Sequence, residues 1–308
     1  MPNPAKLLVV GSVGIDTIET PKERRERLPG GSSPYFAFAA STFSPVSIVG
    51  VVGTDYPAEH RAILESRSID LSGLETDANN KTFAWGGRYL ANFMDRETLF
   101  TELNALATFS PKLPAHCLKP SYLFLANDRP AIHLEVLNKL SARPKFVAAD
   151  TMNLWINIAR AELLQVLNRI DLLALNDEEA RLLSGEFSMK ACARKIQAMG
   201  PAWVMIKKGE NGSICFGPNT TIQIPAFPLD DVVDPTGAGD SFAGGMMGWL
   251  AANDATPDNA DLFRSAIAHA TIVGAYACEG FGFDGLRKMT PDGIAARVRQ
   301  LREISRIP

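Results

Sequence analysis

A doubly wound α/β fold is what these 308 residues predict, with a mostly parallel sheet flanked by helices and a small β-strand lid. Three observations carry the prediction. Short apolar runs alternate with longer segments of helical spacing, the rhythm of repeated strand–helix–strand units. The apolar runs are nearly continuous rather than alternating, which fits strands buried on both faces of a sheet. No internal repeat or low-complexity linker interrupts the chain, so residues 1–308 are expected to form a single domain.

Taken in order, LLVV (7–10), VSIVGVV (46–52), SYLFLA (121–126), KFVAA (145–149), DLLAL (171–175) and AWVMIK (202–207) read as the core strands. Between them AEHRAILESRS, AIHLEVLNKLSA, WINIARAELLQVLNR and MKACARKIQAMG have helical spacing, the last with a glycine C-cap. Five strands run out at Gly11, Asn127, Asp150, Asn176 and Lys207. Each alone is a turn or cap residue; together they mark the carboxyl edge of the sheet, where ligands bind in open α/β folds. Two segments break the rhythm. Residues 12–29 alternate and then become strongly charged, and residues 81–103 read as strand, Gly-Gly turn, strand. Both are expected to form the lid over that edge, and its open strands leave a homodimer through the lid available.

The composition is that of a globular protein, 46% hydrophobic and 21% charged, with net charge −3. It has no basic excess to recommend nucleic acid as a partner. The apolar start is too short for a signal peptide and no stretch approaches a membrane span, so a cytoplasmic location is expected. Cys117, Cys192, Cys215 and Cys278 are scattered, as free thiols in a reducing compartment would be. The four histidines show no metal-ligand spacing, and His60 and His133 are expected on helix surfaces.

The stretch DPTGAGD (234–240) carries the most chemistry. Gly237, Ala238 and Gly239 lead into a helix whose first amides have no intrahelical partner, a natural anion pocket. Thr236 can add a hydroxyl donor. Asp240 falls in the first helical turn, where free amides and the helix end favour its ionised form. A carboxylate inside an anion pocket is awkward for simple phosphate binding. It makes sense if Asp240 takes a proton from an attacking hydroxyl while the amides stabilise a phosphoryl group in transit. Gly244, Gly245 and Gly248 then allow close packing of the helix behind it.

With those residues in view, DPTGAGDSFAGG resembles the C-terminal signature of the ribokinase-like (PfkB) carbohydrate kinases. Other features of the family follow in order across residues 6–284: VVGSVGID, LPGGSSPYFAFAAS, LNDEEARLLSG, IKKGENGS and AYACEGFG. The resemblance implies an ATP-dependent phosphotransferase acting on an alcohol of a sugar or sugar-like acceptor, or of a nucleoside, with Mg2+ and in many relatives a monovalent cation such as K+. It assigns Asp240 as base and Gly237–Gly239 as the anion hole. Asp16 would bind substrate hydroxyls, and Gly30 and Gly31 would let the backbone approach the substrate. Asn176 and Glu179 would lie near magnesium and phosphates, Glu179 through water, with Lys207, Gly209, Thr236 and Gly280 at the nucleotide. Pro235, Ser32 and Tyr35 depart from the family pattern. Tyr35 either stacks on the acceptor or packs in the core; Asp150 and Arg88 are further candidates, as site residues or as a turn and a solvated lid residue. Asn176 and Glu179 also have capping-box spacing. A silent binding protein on the same fold would not need Asp240, and a dinucleotide oxidoreductase would need G-x-G-x-x-G, which GSVGID lacks.

Overall fold

The computed structural model describes residues 5–91, 93 and 95–306. β1 (Leu7–Val10) leads into β2 (Gly14–Glu19) and β3 (Arg24–Gly30), then α1 (Ser32–Ala40), β4 (Val46–Gly53), α2 (Ala58–Glu65) and β5 (Asp70–Asp77). β6 (Phe83–Tyr89) and β7 (Arg96–Glu102) precede β8 (Tyr122–Leu125), α3 (Pro130–Lys139), β9 (Phe146–Asp150), α4 (Asn153–Ile158) and α5 (Arg160–Leu167). The chain continues through β10 (Leu172–Asn176), α6 (Asp177–Ser184), α7 (Met189–Gln197), β11 (Trp203–Lys207), β12 (Ser213–Phe216) and β13 (Thr221–Ile224). It ends in α8 (Ala238–Ala252), α9 (Ala260–Ala277) and α10 (Pro291–Ile304).

Nine strands form the main sheet in the order β13-β12-β11-β10-β9-β8-β1-β4-β5. All neighbours from β5 to β11 are parallel; β12 and β13 add an antiparallel edge. The order reverses at β1, with β4 and β5 on one side and β8 to β11 on the other, which opens a crevice at the carboxyl ends beside β1. Alternate residues feed two cores. Leu7 and Val9 of β1 pack with α1, α8 and α9, whereas Leu8 and Val10 pack with α3, α5 and α7. The buried helix α8 fits between its neighbours because of its glycines. A Cβ at Gly244 would run into the Phe36 carbonyl, one at Gly248 would stand 2.8 Å from the Ala40 Cα, and one at Gly245 3.0 Å from the Val273 Cβ.

The six strands expected from apolar runs are all present. β5 and β13 escaped because their partly exposed residues lack a continuous apolar run, and β12 because its largely buried SICF is too short to stand out. The helix expected over 155–169 is two, parted at Ala159, whose backbone (φ −133°, ψ 34°) leaves the helical region. His60 and His133 are not surface residues: both are buried, His60 edge-on to Tyr56 and His133 with Nε2 2.9 Å from the Ala126 carbonyl oxygen. Burial holds the His133 imidazole down at about 4, so it sits neutral against that strand end. The cysteines are free thiols, three of them buried.

The two rhythm-breaking segments form a second sheet, order β3-β2-β6-β7, with β2 parallel to β6. Here the expected turn is corrected. Gly86 and Gly87 lie inside β6, which pairs antiparallel with β7 out to Tyr89 opposite Arg96. A side chain at Gly86 would strike the Phe100 ring and one at Gly87 the Trp85 indole, so the pair makes room for two aromatics on opposite faces. Pairing sets Asp16 of β2 beside Trp85 of β6, and Tyr89 of β6 opposite Arg96 of β7. These four share one lid face.

Candidate active site

Asp234 anchors the loop ahead of α8. Its Oδ1 accepts the Thr236 N–H at 2.9 Å, and Gly237 takes a left-handed conformation (φ 74°) that turns the chain into the helix. A Cβ on Gly237 would also collide with the Tyr35 ring beneath it, so the loop rests flat on that ring. The Ala238 N–H is taken by the Pro235 carbonyl at 3.1 Å and the first helical bond runs from Ser241 N–H to the Gly237 carbonyl. Among the described residues, the N–H groups of Gly237, Gly239 and Asp240 have no backbone partner. The pocket is therefore smaller than the heptapeptide suggested: Ala238 is spent on closing the turn.

Asp240, in the first turn of α8, is half-buried and surrounded by charge. Lys207, at the end of β11, lays its ammonium against the helix start, 2.9 Å from where a Cβ of Gly239 would be. Burial pushes the Asp240 carboxyl up to about 6 against the pull of Lys207 and Arg96. The helix end and free amides do not hold it at an ordinary carboxylate value, because loss of solvent outweighs them. Asp150 closes β9 with Oδ1 unpartnered. Burial first, then the charge of Asp240, raises its carboxyl. Asp16 is likewise buried, its carboxylate lying where a Gly30 side chain would be, and its carboxyl is raised by burial and by Asp234 and Asp240. Gly31 (φ 87°) turns the chain there into α1. Asp240 is thus felt at both Asp16 and Asp150, with Lys207 acting on Asp150 and Asp240 and Arg96 on Asp16 and Asp240.

Asn176 and Glu179 form a reciprocal capping box: the Glu179 N–H donates to Asn176 Oδ1 and the Asn176 N–H to Glu179 Oε2, both at 2.8 Å. One Glu179 oxygen is thereby committed, and its carboxyl, raised chiefly by burial, still reaches Asp240 and Asp150 electrostatically. The Thr236 hydroxyl donates at 3.1 Å to the Tyr89 hydroxyl of the lid, tying lid to loop. Gly209 is exposed at the end of β11, whereas Gly280 is buried, with the Gly285 N–H filling its Cβ position.

Two candidates are committed to other contacts. Tyr35 is 1% exposed and packs edge-on to Phe283 at 5.1 Å, so it supports the Gly237 loop and offers no face to an acceptor. Arg88 points to the opposite lid face from Tyr89, where Nε meets Glu19 Oε1 at 2.8 Å. The lid arginine directed inward is Arg96, with its guanidinium 4.9 Å from the Trp85 ring centre and its charge felt at Asp16, Asp240 and Glu179. Arg96 and Trp85 were not singled out from the sequence. The hairpin register that turns them inward depends on the turn and on a shift at Gly86/Gly87. A surface cavity of about 580 Å³ around Lys145, Asp254 and Asp258 lies at the amino ends of the strands, away from this cluster.

A parallel sheet with its switch point, a smaller four-stranded sheet and a carboxylate at a helix start agree with a phosphotransferase of the carbohydrate kinase class. The chain belongs to the pfkB family of carbohydrate kinases, whose profile matches residues 4–281. A cytidine kinase from Thermococcus kodakarensis is 28% identical over 245 residues, covering 78% of this chain and 87% of that protein. Among solved structures, a fructokinase from Vibrio cholerae with fructose, ADP and calcium superposes with a TM-score of 0.80 at 18% identity, covering 96% of this chain and 99% of the other. A nucleoside kinase from Burkholderia thailandensis in complex with inosine gives 0.77 at 19% identity, covering 96% and 97%. The chain is thus similar to kinases of both sugars and nucleosides.

Proposed function

We propose that this kinase transfers the γ-phosphate of ATP to a hydroxyl of a nucleoside or sugar, with Asp240 as general base. The observation that carries the assignment is the position of Asp240 beside the unpartnered N–H groups of Gly237 and Gly239 and within reach of the Lys207 charge. As the acceptor oxygen attacks phosphorus, its proton passes to Asp240. The new O–P bond forms as the bond from the γ-phosphorus to the bridging oxygen breaks, and ADP leaves. The amides and Lys207 stabilise the equatorial oxygens in transit. Asp16, with an unpartnered oxygen, accepts the neighbouring hydroxyls.

The oxygen donors also fit a hard divalent ion. Asp150 Oδ1 is unpartnered and Glu179 retains one oxygen, so these residues would hold Mg2+, Glu179 through water; the ion would neutralise phosphate charge. Asp234 Oδ2, buried and unpartnered, suits a monovalent cation such as K+. Nucleotide contacts fall to Lys207, Thr236 and the exposed Gly209.

The acceptor reading favoured by the lid is a nucleoside. Trp85 stands beside Asp16 in register, an aromatic face next to a hydroxyl acceptor, and a ribose held by Asp16 brings its base to that indole. We take the four-stranded sheet as the lid of one catalytic domain, able to pair with a second copy through its open β7 edge. No described helix is long and apolar enough to cross a membrane, and the free thiols agree with a cytoplasmic setting. The test is ATP consumption over a panel of sugars, sugar phosphates and nucleosides, with Asp240→Asn as the blank. Acceptor-dependent turnover with nucleosides supports the reading, turnover with sugars alone overturns its nucleoside half, and none above the blank overturns it entirely.

A further inference from the structure

At the opposite end of the sheet, three side chains converge that phosphoryl transfer does not use. Asp70 opens β5, while His116 and Cys117 sit in the short 3-10 turn at Ala115–Leu118 that leads to β8. Sequence spacing gave no hint of this, because Asp70 lies 46 residues before His116. One ligand atom from each of the three, a carboxylate oxygen, an imidazole nitrogen and a thiol sulfur, lies within 4.8 Å of the others. His116 Nε2 and Asp70 Oδ2 are 2.6 Å apart.

The surroundings are ordered for such a role. Asp70 Oδ1 accepts the Ser72 N–H at 3.0 Å, which fixes the carboxylate plane. The His116 carbonyl accepts the Ala5 N–H at 2.9 Å, and the Cys117 N–H donates to the Pro114 carbonyl at 2.8 Å, so the turn is held to the start of the chain and to itself. Cys117 is 1% exposed, whereas the side chains of His116 and Asp70 retain 20% and 36% of their accessibility. The cluster therefore has a closed sulfur side and a wet nitrogen and oxygen side.

We propose that Asp70, His116 and Cys117 form a binding site for a borderline-soft divalent cation of the zinc class, with water as the fourth ligand. Thiolate, imidazole and carboxylate together favour such an ion over Mg2+ or Ca2+, which prefer oxygen alone. Bonds of about 2.0–2.3 Å at tetrahedral angles imply ligand separations of roughly 3.3–3.8 Å. The cluster needs to draw in by only about 1 Å at its widest, and the short His116–Asp70 contact would open slightly. Binding releases the thiol proton to solvent and clips the turn before β8 to the first residue of β5, far from Asp240. The site goes beyond the phosphotransfer reading and stands or falls separately from it.

The experiment is Co2+ titration of the chelator-stripped full chain, followed by Zn2+ displacement. One Co2+ per chain should bind with a near-ultraviolet thiolate charge-transfer band, Zn2+ should abolish the band, and Zn2+ should raise the Tm. Cys117→Ser should remove the band and His116→Asn should weaken zinc binding by about 100-fold or more, since even outer partners of metal ligands are worth 10–100-fold. Both variants should keep phosphotransfer activity, and Asp240→Asn should keep the band, which separates this site from the catalytic acids. No band and no retained zinc in the wild-type chain would leave only an Asp70–His116 hydrogen bond and overturn the proposal. A band that survives Cys117→Ser would place the thiolate at another cysteine and overturn it equally.

Discussion

Gly239→Ala should make this protein more stable and less active. Gly239 lies in the first turn of α8 and is not among the residues of positive φ, so alanine suits its backbone. Replacing a helical glycine by alanine stabilises by about 0.5–1 kcal/mol. The new Cβ, however, would stand 2.9 Å from Lys207 Nζ. An ordinary contact needs about 3.5–4 Å, and the flexible ammonium is what gives way, receding by roughly 0.6–1.1 Å. Displacement on that scale costs about 10- to 100-fold in rate when the displaced group acts on the reacting atoms, or ~1.4–2.7 kcal/mol of barrier. The retreat also weakens the pull that Lys207 exerts on Asp240, so the Asp240 carboxyl rises above about 6 and the acid limb of the rate profile moves to higher pH. Thermal unfolding and a pH series of kcat/KM on one preparation read both effects. A variant with raised Tm, wild-type kcat and an unmoved acid limb would refute the role given to Lys207 and to the space beside Gly239.

Further outcomes follow from the same geometry. Wild-type turnover should fall as pH drops through about 6, since protonated Asp240 cannot accept the hydroxyl proton; a rate flat down to pH 5 would contradict this. Arg96→Gln should lower kcat at least about 10-fold, whereas Arg88→Gln, changing an exposed pair on the other lid face, should leave kcat and KM unchanged. Tyr35→Phe should leave acceptor KM unchanged because its hydroxyl touches no acceptor, while Tyr35→Ala should lose about 3–5 kcal/mol of stability in denaturant unfolding through the cavity beneath Gly237. Trp85→Ala should raise KM for a nucleoside more than for the matching free sugar, and equal shifts would remove the stacking role.

The sheet was legible because its strands are continuous apolar runs that only a doubly covered sheet accommodates, and β1, β4 and β8–β11 lie where those runs do. The loop at 234–240 was legible for a similar reason: glycine at a left-handed position and a carboxylate at a helix start are local requirements written into adjacent residues. What sequence did not carry is pairing. The face that Arg88 and Arg96 occupy depends on a hairpin register with a shift at Gly86/Gly87, and an inward Arg96 cannot be told from an outward one by alternation alone. Desolvation was equally hidden. His60, His133 and Tyr35 are polar or amphipathic residues on helices, and only the packed neighbours decide that they are core. The raised carboxyl of Asp240 comes from that same burial, which overrides the local benefit of the helix end.

The central claim is that Asp240 takes the acceptor proton. Its most direct test is kcat of Asp240→Asn with ATP and whichever acceptor turns over fastest in the wild-type protein, alongside nucleotide affinity by calorimetry. Loss of the base should lower kcat by about 10²-fold or more with nucleotide affinity little changed. Turnover within a few-fold of wild type would contradict it.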